Sequence, residues 1–147
     1  MTEPRIHHVS LTCRDPIATE RFYTKHFGFG RARVVPLGGD NEIVFLRGPG
    51  IHLELFRATE DRPLAPAQSD GYPWPSVRNI SFEVENIDAK LAAMGQDADL
   101  AFGPMSFDAF IPGWQAAWLR DPDGNLVQIM QGYIDQDNPP PLPPQPS

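Results

Sequence analysis

Apolar and polar side chains alternate over four stretches of the chain with the two-residue period of a β-strand. In HVSLTC, Val9, Leu11 and Cys13 alternate with His8, Ser10 and Thr12, and in IHLELF, Ile51, Leu53 and Leu55 alternate with His52, Glu54 and Phe56. In NISFEV, Ile80, Phe82 and Val84 alternate with Asn79, Ser81 and Glu83. In LVQIM, Val127 and Ile129 alternate with Leu126, Gln128 and Met130. Helical signals follow the first and third stretches. Asp15 is a suitable N-cap, Pro16 sits where the first helical N–H needs no partner, Ile17, Phe22 and Tyr23 supply apolar positions, and Gly28 stops the helix. Asn86 caps a second helix, with Ile87, Leu91 and Met94 as its stripe and Gly95 as its stop.

These elements occur as two copies. HVSLTCRD at 8–15 aligns with NISFEVEN at 79–86, and IVFLRGP at 43–49 aligns with AAWLRDP at 116–122. Each copy reads as strand, helix and three-strand meander. Agreement of caps, turn prolines and strand order makes chance similarity a poor explanation. Neither copy is large enough to bury its own sheet, so the two are expected to pack within one domain. The division is a first module over 1–58, a linker over 59–76, a second module over 77–134 and a disordered tail over 135–147. Pro63, Pro66, Pro73 and Pro75 keep the linker out of a helix or a central strand. The apolar face of each sheet must take the helix, which points His8, Glu54, Asn79 and Gln128 into the concave side of the paired sheets.

Composition narrows the function classes. The formal net charge is -7, the pI is near 4.9, and no basic run is present, which argues against a nucleic acid or a polybasic membrane anchor as partner. No apolar stretch approaches the ~20 residues of a membrane span, and MTEPRIHH lacks the layout of a secretory signal, so the expected compartment is the cytoplasm. The single Cys13 cannot form an internal disulfide and faces the core by parity. Residues 1–73 hold 9 acids and 9 bases, whereas 74–147 hold 10 acids and 3 bases, so the whole net charge belongs to the second half. Six of the 17 prolines fall in the last nine residues; such a run favours extended polyproline II, with docking to an aromatic groove as its secondary reading.

Taken together, the doubled strand–helix–meander, His8 in IHHVSL, the helix RFYTKHFGF, Glu54 in IHLELF and DPDGNLVQI resemble the vicinal-oxygen-chelate superfamily. That superfamily includes glyoxalase I, methylmalonyl-CoA epimerase, extradiol ring-cleavage dioxygenases and bleomycin-binding resistance proteins. The resemblance covers residues 5–133. It implies an α+β fold in which two tandem βαβββ modules form a cupped, barrel-like mixed sheet with the helices outside. It also implies a divalent metal (zinc, nickel, manganese or iron) at His8, Glu54, Asn79 and Gln128, and a homodimer. The family usually has His or Gln, Glu, His and Glu at those four positions. Here two are amides, which are neutral, weak ligands, so metal affinity is expected to be weak or lost. Gln128 cannot accept a proton at neutral pH, leaving Glu54, with His8, as the catalytic candidates. The two-His-one-carboxylate set of an iron dioxygenase is broken as well, unless His52, two residues from Glu54, completes it with His8.

Substrate contacts are assigned to His52, Ser10 and Ser81 on the concave side, to Trp74 in the linker, to Phe107, Phe110 and Trp114 in an irregular segment over 103–114, and to Trp118. His7, of opposite parity, and His26, at a helix end, read as structural or solvated. The first function hypothesis is a glyoxalase-like isomerase or lyase acting on a small oxygenated or aromatic molecule, with metal-assisted enolate chemistry if a metal binds. The alternative is a metal-free binding or sequestering protein of the bleomycin-resistance type. A non-haem iron dioxygenase, or a docking module using the proline tail, ranks behind these.

Overall fold

A computed structural model describes residues 3–146. The first module runs β1 (His8–Cys13), α1 (Pro16–Phe27), β2 (Gly30–Gly38), β3 (Asn41–Arg47) and β4 (His52–Arg57). The second runs β5 (Ile80–Glu83), α2 (Ile87–Met94), a 3-10 turn (Gly95–Asp97), β6 (Asp99–Ser106), β7 (Gln115–Arg120) and β8 (Leu126–Gln131). Each module is a four-stranded mixed sheet, ordered β1-β4-β3-β2 and β5-β8-β7-β6, in which the first and last strands pair in parallel and the meander is antiparallel. Among the described residues no ladder joins the two sheets, so the cup does not close into a barrel. Among the described residues no helix is long and apolar enough to cross a membrane.

The helix caps form as their residue types dictate. Asp15 accepts from the Ile17 and Ala18 amides and Asn86 from the Ala89 amide, supplying acceptors for N–H groups that lack intrahelical partners. Gly28 ends α1 at φ 74°, a left-handed position. Strand parity then turns Cys13, Leu53 and Leu55 in one sheet, and Val127 and Ile129 in the other, into one continuous core with the helices. Phe27 of α1 stacks on Phe82 of β5 at 4.4 Å, so the first helix packs against the second module.

The DPDGN turn completes that junction. Asp121, 4% exposed, accepts from the Asp123 and Asn125 amides through Oδ1, and from Asn125 Nδ2 (3.0 Å) and the Tyr23 hydroxyl (2.7 Å) through Oδ2. Asp123 in turn accepts from the Arg14 amide and the Thr19 hydroxyl, both at 2.8 Å. At the other end of α1, the buried His26 Nε2 lies 2.7 Å from Asp97 Oδ2, and Lys90 Nζ donates to the His26 carbonyl. The modules of a single chain are thus pinned by polar contacts at both ends of α1, around an apolar centre.

Two sequence expectations shift here. Part of the segment expected to be irregular, from Gly103 onward, belongs to β6, because a register break between Phe102 and Met105 carries the ladder past Pro104. Gly103 enables this with φ +79°; a Cβ there would lie 2.9 Å from the Ala116 carbonyl. Asn79 lies one residue before β5 begins. The linker also does more than connect. Ala67 and Tyr72 cover the concave side of the second sheet, packing with Trp118, Ala116 and Leu126 as a second core. Arg62 anchors that strap on the Asp123 carbonyl (3.0 Å) and Asn125 Oδ1 (3.1 Å), and Arg120 holds Gln68 at 3.2 Å. Residues 132–146 form neither helix nor strand.

Candidate functional site

The concave side of the first sheet is organised by its register. His8 of β1 pairs with His52 of β4 and His52 with Arg47 of β3; one row on, Ser10 pairs with Glu54 and Glu54 with Phe45. Residues directly opposite one another share a face, so parity and register together bring these side chains side by side. Ser10 Oγ donates to Glu54 Oε1 at 2.7 Å, and His8 Nε2 lies 3.4 Å from the same oxygen. The Glu54 side chain is 15% exposed and that of His8 37%, which leaves the cluster half-buried and reachable. The His8 ring stands edge-on to Phe45 at 5.9 Å, and its Nδ1 shares a hydrogen at 2.9 Å with His7 Nδ1. His7 precedes β1, and instead of turning to the other face it meets the site, bonding to His8 and stacking on His52 at 4.5 Å.

The second sheet repeats the frame with different chemistry. Ser81 pairs with Gln128 as Ser10 pairs with Glu54, and Gln128 pairs with Trp118 across the next strand. Gln128 is buried at 8% exposure. Trp118, at 5%, packs with Phe107 and Trp114, and the indole N–H groups of Trp114 and Trp118 find no partner among the described residues. Phe110 meets the cluster at Phe107, with ring centroids 6.3 Å apart, but is itself 79% exposed. Of the aromatic candidates, Trp118, Phe107 and Trp114 thus line the strapped half of the cup as packed side chains.

A cavity of about 340 Å³ lies where β1 and β5 face one another, and it brings Ser10 together with Asn79. Trp74 and Tyr72, stacked at 4.7 Å, wall it from the linker side, with Arg62 and Arg78 at its edges. Both arginines are held: Arg78 by Asp70 at 2.9 Å and Arg62 by the DPDGN turn. This is a largely apolar space with a few polar groups at its floor, the usual form of a small-molecule site. Sequence reasoning singles out Tyr72 with Trp74 as linker aromatics that cover something, but misses Arg62 and Phe45. Phe45 was within reach through the parity of β3; Arg62 is placed by the course of the linker, which carries no periodic signal.

The donor set does not suit a resident divalent metal. Among the described residues no three His, Cys, Asp or Glu side chains gather as a metal-binding group. His8 and Glu54 are the two strong donors, and Glu54 Oε1 is already engaged by Ser10. Asn79 and Gln128 would add only neutral amide oxygens. His52, whose ring stacks on His7 at 4.5 Å, does not gather with His8 and Glu54 as a third donor. Partial burial lowers the His52 imidazole below its ordinary value, and the neighbouring His7, Arg47, His8 and Arg5 act in the same direction. Cys13, fully buried, has its thiol pushed up to about 12 by desolvation and is a packing residue rather than a nucleophile.

Solved structures share this architecture. The glyoxalase family protein from Enterococcus faecalis is 25% identical, with a TM-score of 0.64 over 86% of this chain and 96% of that one. The glyoxalase family protein from Bacillus cereus is 15% identical, with a TM-score of 0.68 over 89% and 95%. A glyoxalase/dioxygenase from Nostoc punctiforme is 21% identical, with a TM-score of 0.66 over 88% and 92%. No curated protein matches the chain in sequence. Residues 5–129 match the family model of the Glyoxalase/Bleomycin resistance protein/Dioxygenase superfamily, and the protein with its doubled βαβββ frame belongs to that superfamily.

Proposed function

We propose that the chain is a glyoxalase-like enzyme of the isomerase or lyase type, which moves a proton on a small oxygenated molecule and needs no resident metal. The observation that carries this reading is the cluster of Ser10, His8 and Glu54 on a reachable sheet face. Ser10 occupies Oε1 of Glu54 and leaves Oε2 to accept a proton from a C–H next to a carbonyl. The electron pair of that bond passes to the carbonyl oxygen, and His8 Nε2–H donates a hydrogen bond to the developing oxyanion. Glu54 then returns the proton to the former carbonyl carbon while the proton of the adjacent hydroxyl passes to the oxyanion (isomerisation), or the pair returns from the oxyanion, restores the carbonyl and expels a leaving group from the carbon on the other side of the deprotonated one, the departing group taking up the proton from Glu54 (lyase chemistry). The cavity between β1 and β5 supplies room for the rest of the substrate.

Hydrogen–deuterium exchange tests this. Chelator-treated protein is incubated in D2O with a panel of α-hydroxy ketones and α-hydroxy aldehydes, and exchange at the activated carbon is followed by NMR. Glu54→Gln is expected to slow exchange by a factor of about 10² or more, the range for loss of a general base, and Ser10→Ala less. Undiminished exchange by Glu54→Gln refutes the assignment. The metal-free binding reading rests on the second sheet, whose concave side offers amides and packed aromatic rings but no titratable group beside Gln128. Saturable binding by panel members without exchange would establish it instead.

A further inference from the structure

The concave face of the first sheet carries a charge pattern that proton transfer at Glu54 does not use. Across β2, β3, β4 and β1, one row reads Gly30, Arg47, His52 and His8, and the next reads Arg33, Phe45, Glu54 and Ser10. Directly paired residues lie on the same face, so Arg33 and Arg47 stand on the side of the sheet that holds Glu54 and His8. Both are exposed, and neither has an acidic partner among the described residues. Arg31, by contrast, turns to the helix side and is taken up by Glu20 at 2.6 Å. Glu54 is the one carboxylate in these rows, against two guanidinium groups and two imidazoles. Residues 1–73 as a whole are balanced, with 9 acids and 9 bases, so these rows are more basic than the half of the chain they belong to. The raised positive potential is felt at His52, whose imidazole is lowered first by desolvation and further by His7, Arg47, His8 and Arg5.

We infer that Arg33 and Arg47 form an anion handle for the ligand of this face, so that the molecule presented to Glu54 bears a carboxylate or a phosphate. The inference rests on the proposed reading of this face as the reactive site. Arg33 is two strands from Glu54, about 10 Å at the strand spacing, and Arg47 is one strand from His52 and two from His8. One compact organic anion can therefore place its charged group between the guanidinium forks and its carbonyl at His8 and Glu54. Phe45, between Arg33 and Glu54 in the row, gives it an apolar floor. Two forked donors also suit paired oxygens better than a single ammonium would.

The test compares benzoate with its neutral isostere benzamide, and phenyl phosphate with phenol, by NMR titration of the full chain. The expected result is at least tenfold tighter binding of an anion than of its neutral counterpart, with chemical-shift changes at the Arg33 and Arg47 side chains. Arg33→Ala/Arg47→Ala is expected to erase that preference, while Arg33→Lys/Arg47→Lys retains part of it. Whichever of benzoate and phenyl phosphate binds more tightly identifies the charged group. Glu54→Gln should keep or raise the anion preference, so loss of proton transfer and loss of anion binding are read separately. Equal binding of anion and isostere, no binding of either anion, or a preference that survives in the folded double alanine variant overturns the inference. Circular dichroism verifies that the variants are folded.

Discussion

Replacing Tyr23 by Phe removes one hydroxyl and nothing else from the junction between the two modules. That hydroxyl donates at 2.7 Å to Oδ2 of Asp121, with both residues buried, and Asp121 retains three other donors from its own turn. A hydrogen bond to a charged group contributes about 1.5–3 kcal/mol. The ring stays in place, so no cavity cost is added and the expected loss is about 2 kcal/mol. For a chain of this size that corresponds to a fall in Tm of about 4–8 °C. Urea denaturation at neutral pH measures it, and a double-mutant cycle with Asp121→Asn isolates the pairwise coupling. Burial raises the Asp121 carboxyl above its ordinary value, while its bonds to Asn125 and Tyr23 oppose that rise. A raised carboxyl contributes stability that is full below the unfolded value and lost as pH rises through the folded one. Removing the Tyr23 bond raises the folded value further. The deficit of Tyr23→Phe is therefore largest once Asp121 is ionised and shrinks as pH falls through its titration. A loss below about 0.5 kcal/mol, the range of ordinary surface changes, or a deficit that does not change with pH, refutes the view that this contact pins the modules.

Two further outcomes follow from other sites. Asp97→Asn is expected to be less stable than the parent at neutral pH, because the hydrogen bond from His26, with a smaller contribution from Lys25, holds the Asp97 carboxyl below its ordinary value. A depressed carboxyl contributes stability above its unfolded value, 3.8, that is lost as pH falls through the folded one, so the two denaturation midpoints should converge in acid. A gap that persists at low pH counts against the pairing. Cys13, fully buried with its thiol at about 12, is expected to resist a thiol-specific disulfide reagent at pH 8 and to react once urea unfolds the chain. Rapid labelling of the folded protein would contradict its burial.

Much of this frame could be read along the chain because its determinants are local. Strand parity needs only a period of two, and the caps at Asp15, Asn86 and Gly28 need only a residue type at a helix end. The same parity placed His8, Glu54 and Gln128 on the concave side before any pairing was known. The bond from Ser10 to Glu54 was not visible, because it depends on the register of β1 against β4 across 44 residues. Nor was the role of the linker as a strap over Trp118, since an irregular proline-rich segment has no periodicity to announce its course. Alignment of the two copies showed their difference in ligand residues, but not that one half of the cup stays open while the other is filled by Ala67, Tyr72 and Trp118. The packing of one module on the other likewise depends on contacts between residues far apart in sequence, Tyr23 with Asp121 and Phe27 with Phe82. Local periodicity specifies which side of each element is apolar; which apolar side meets which is decided when burial, hydrogen bonding and chain connectivity must all be satisfied at once.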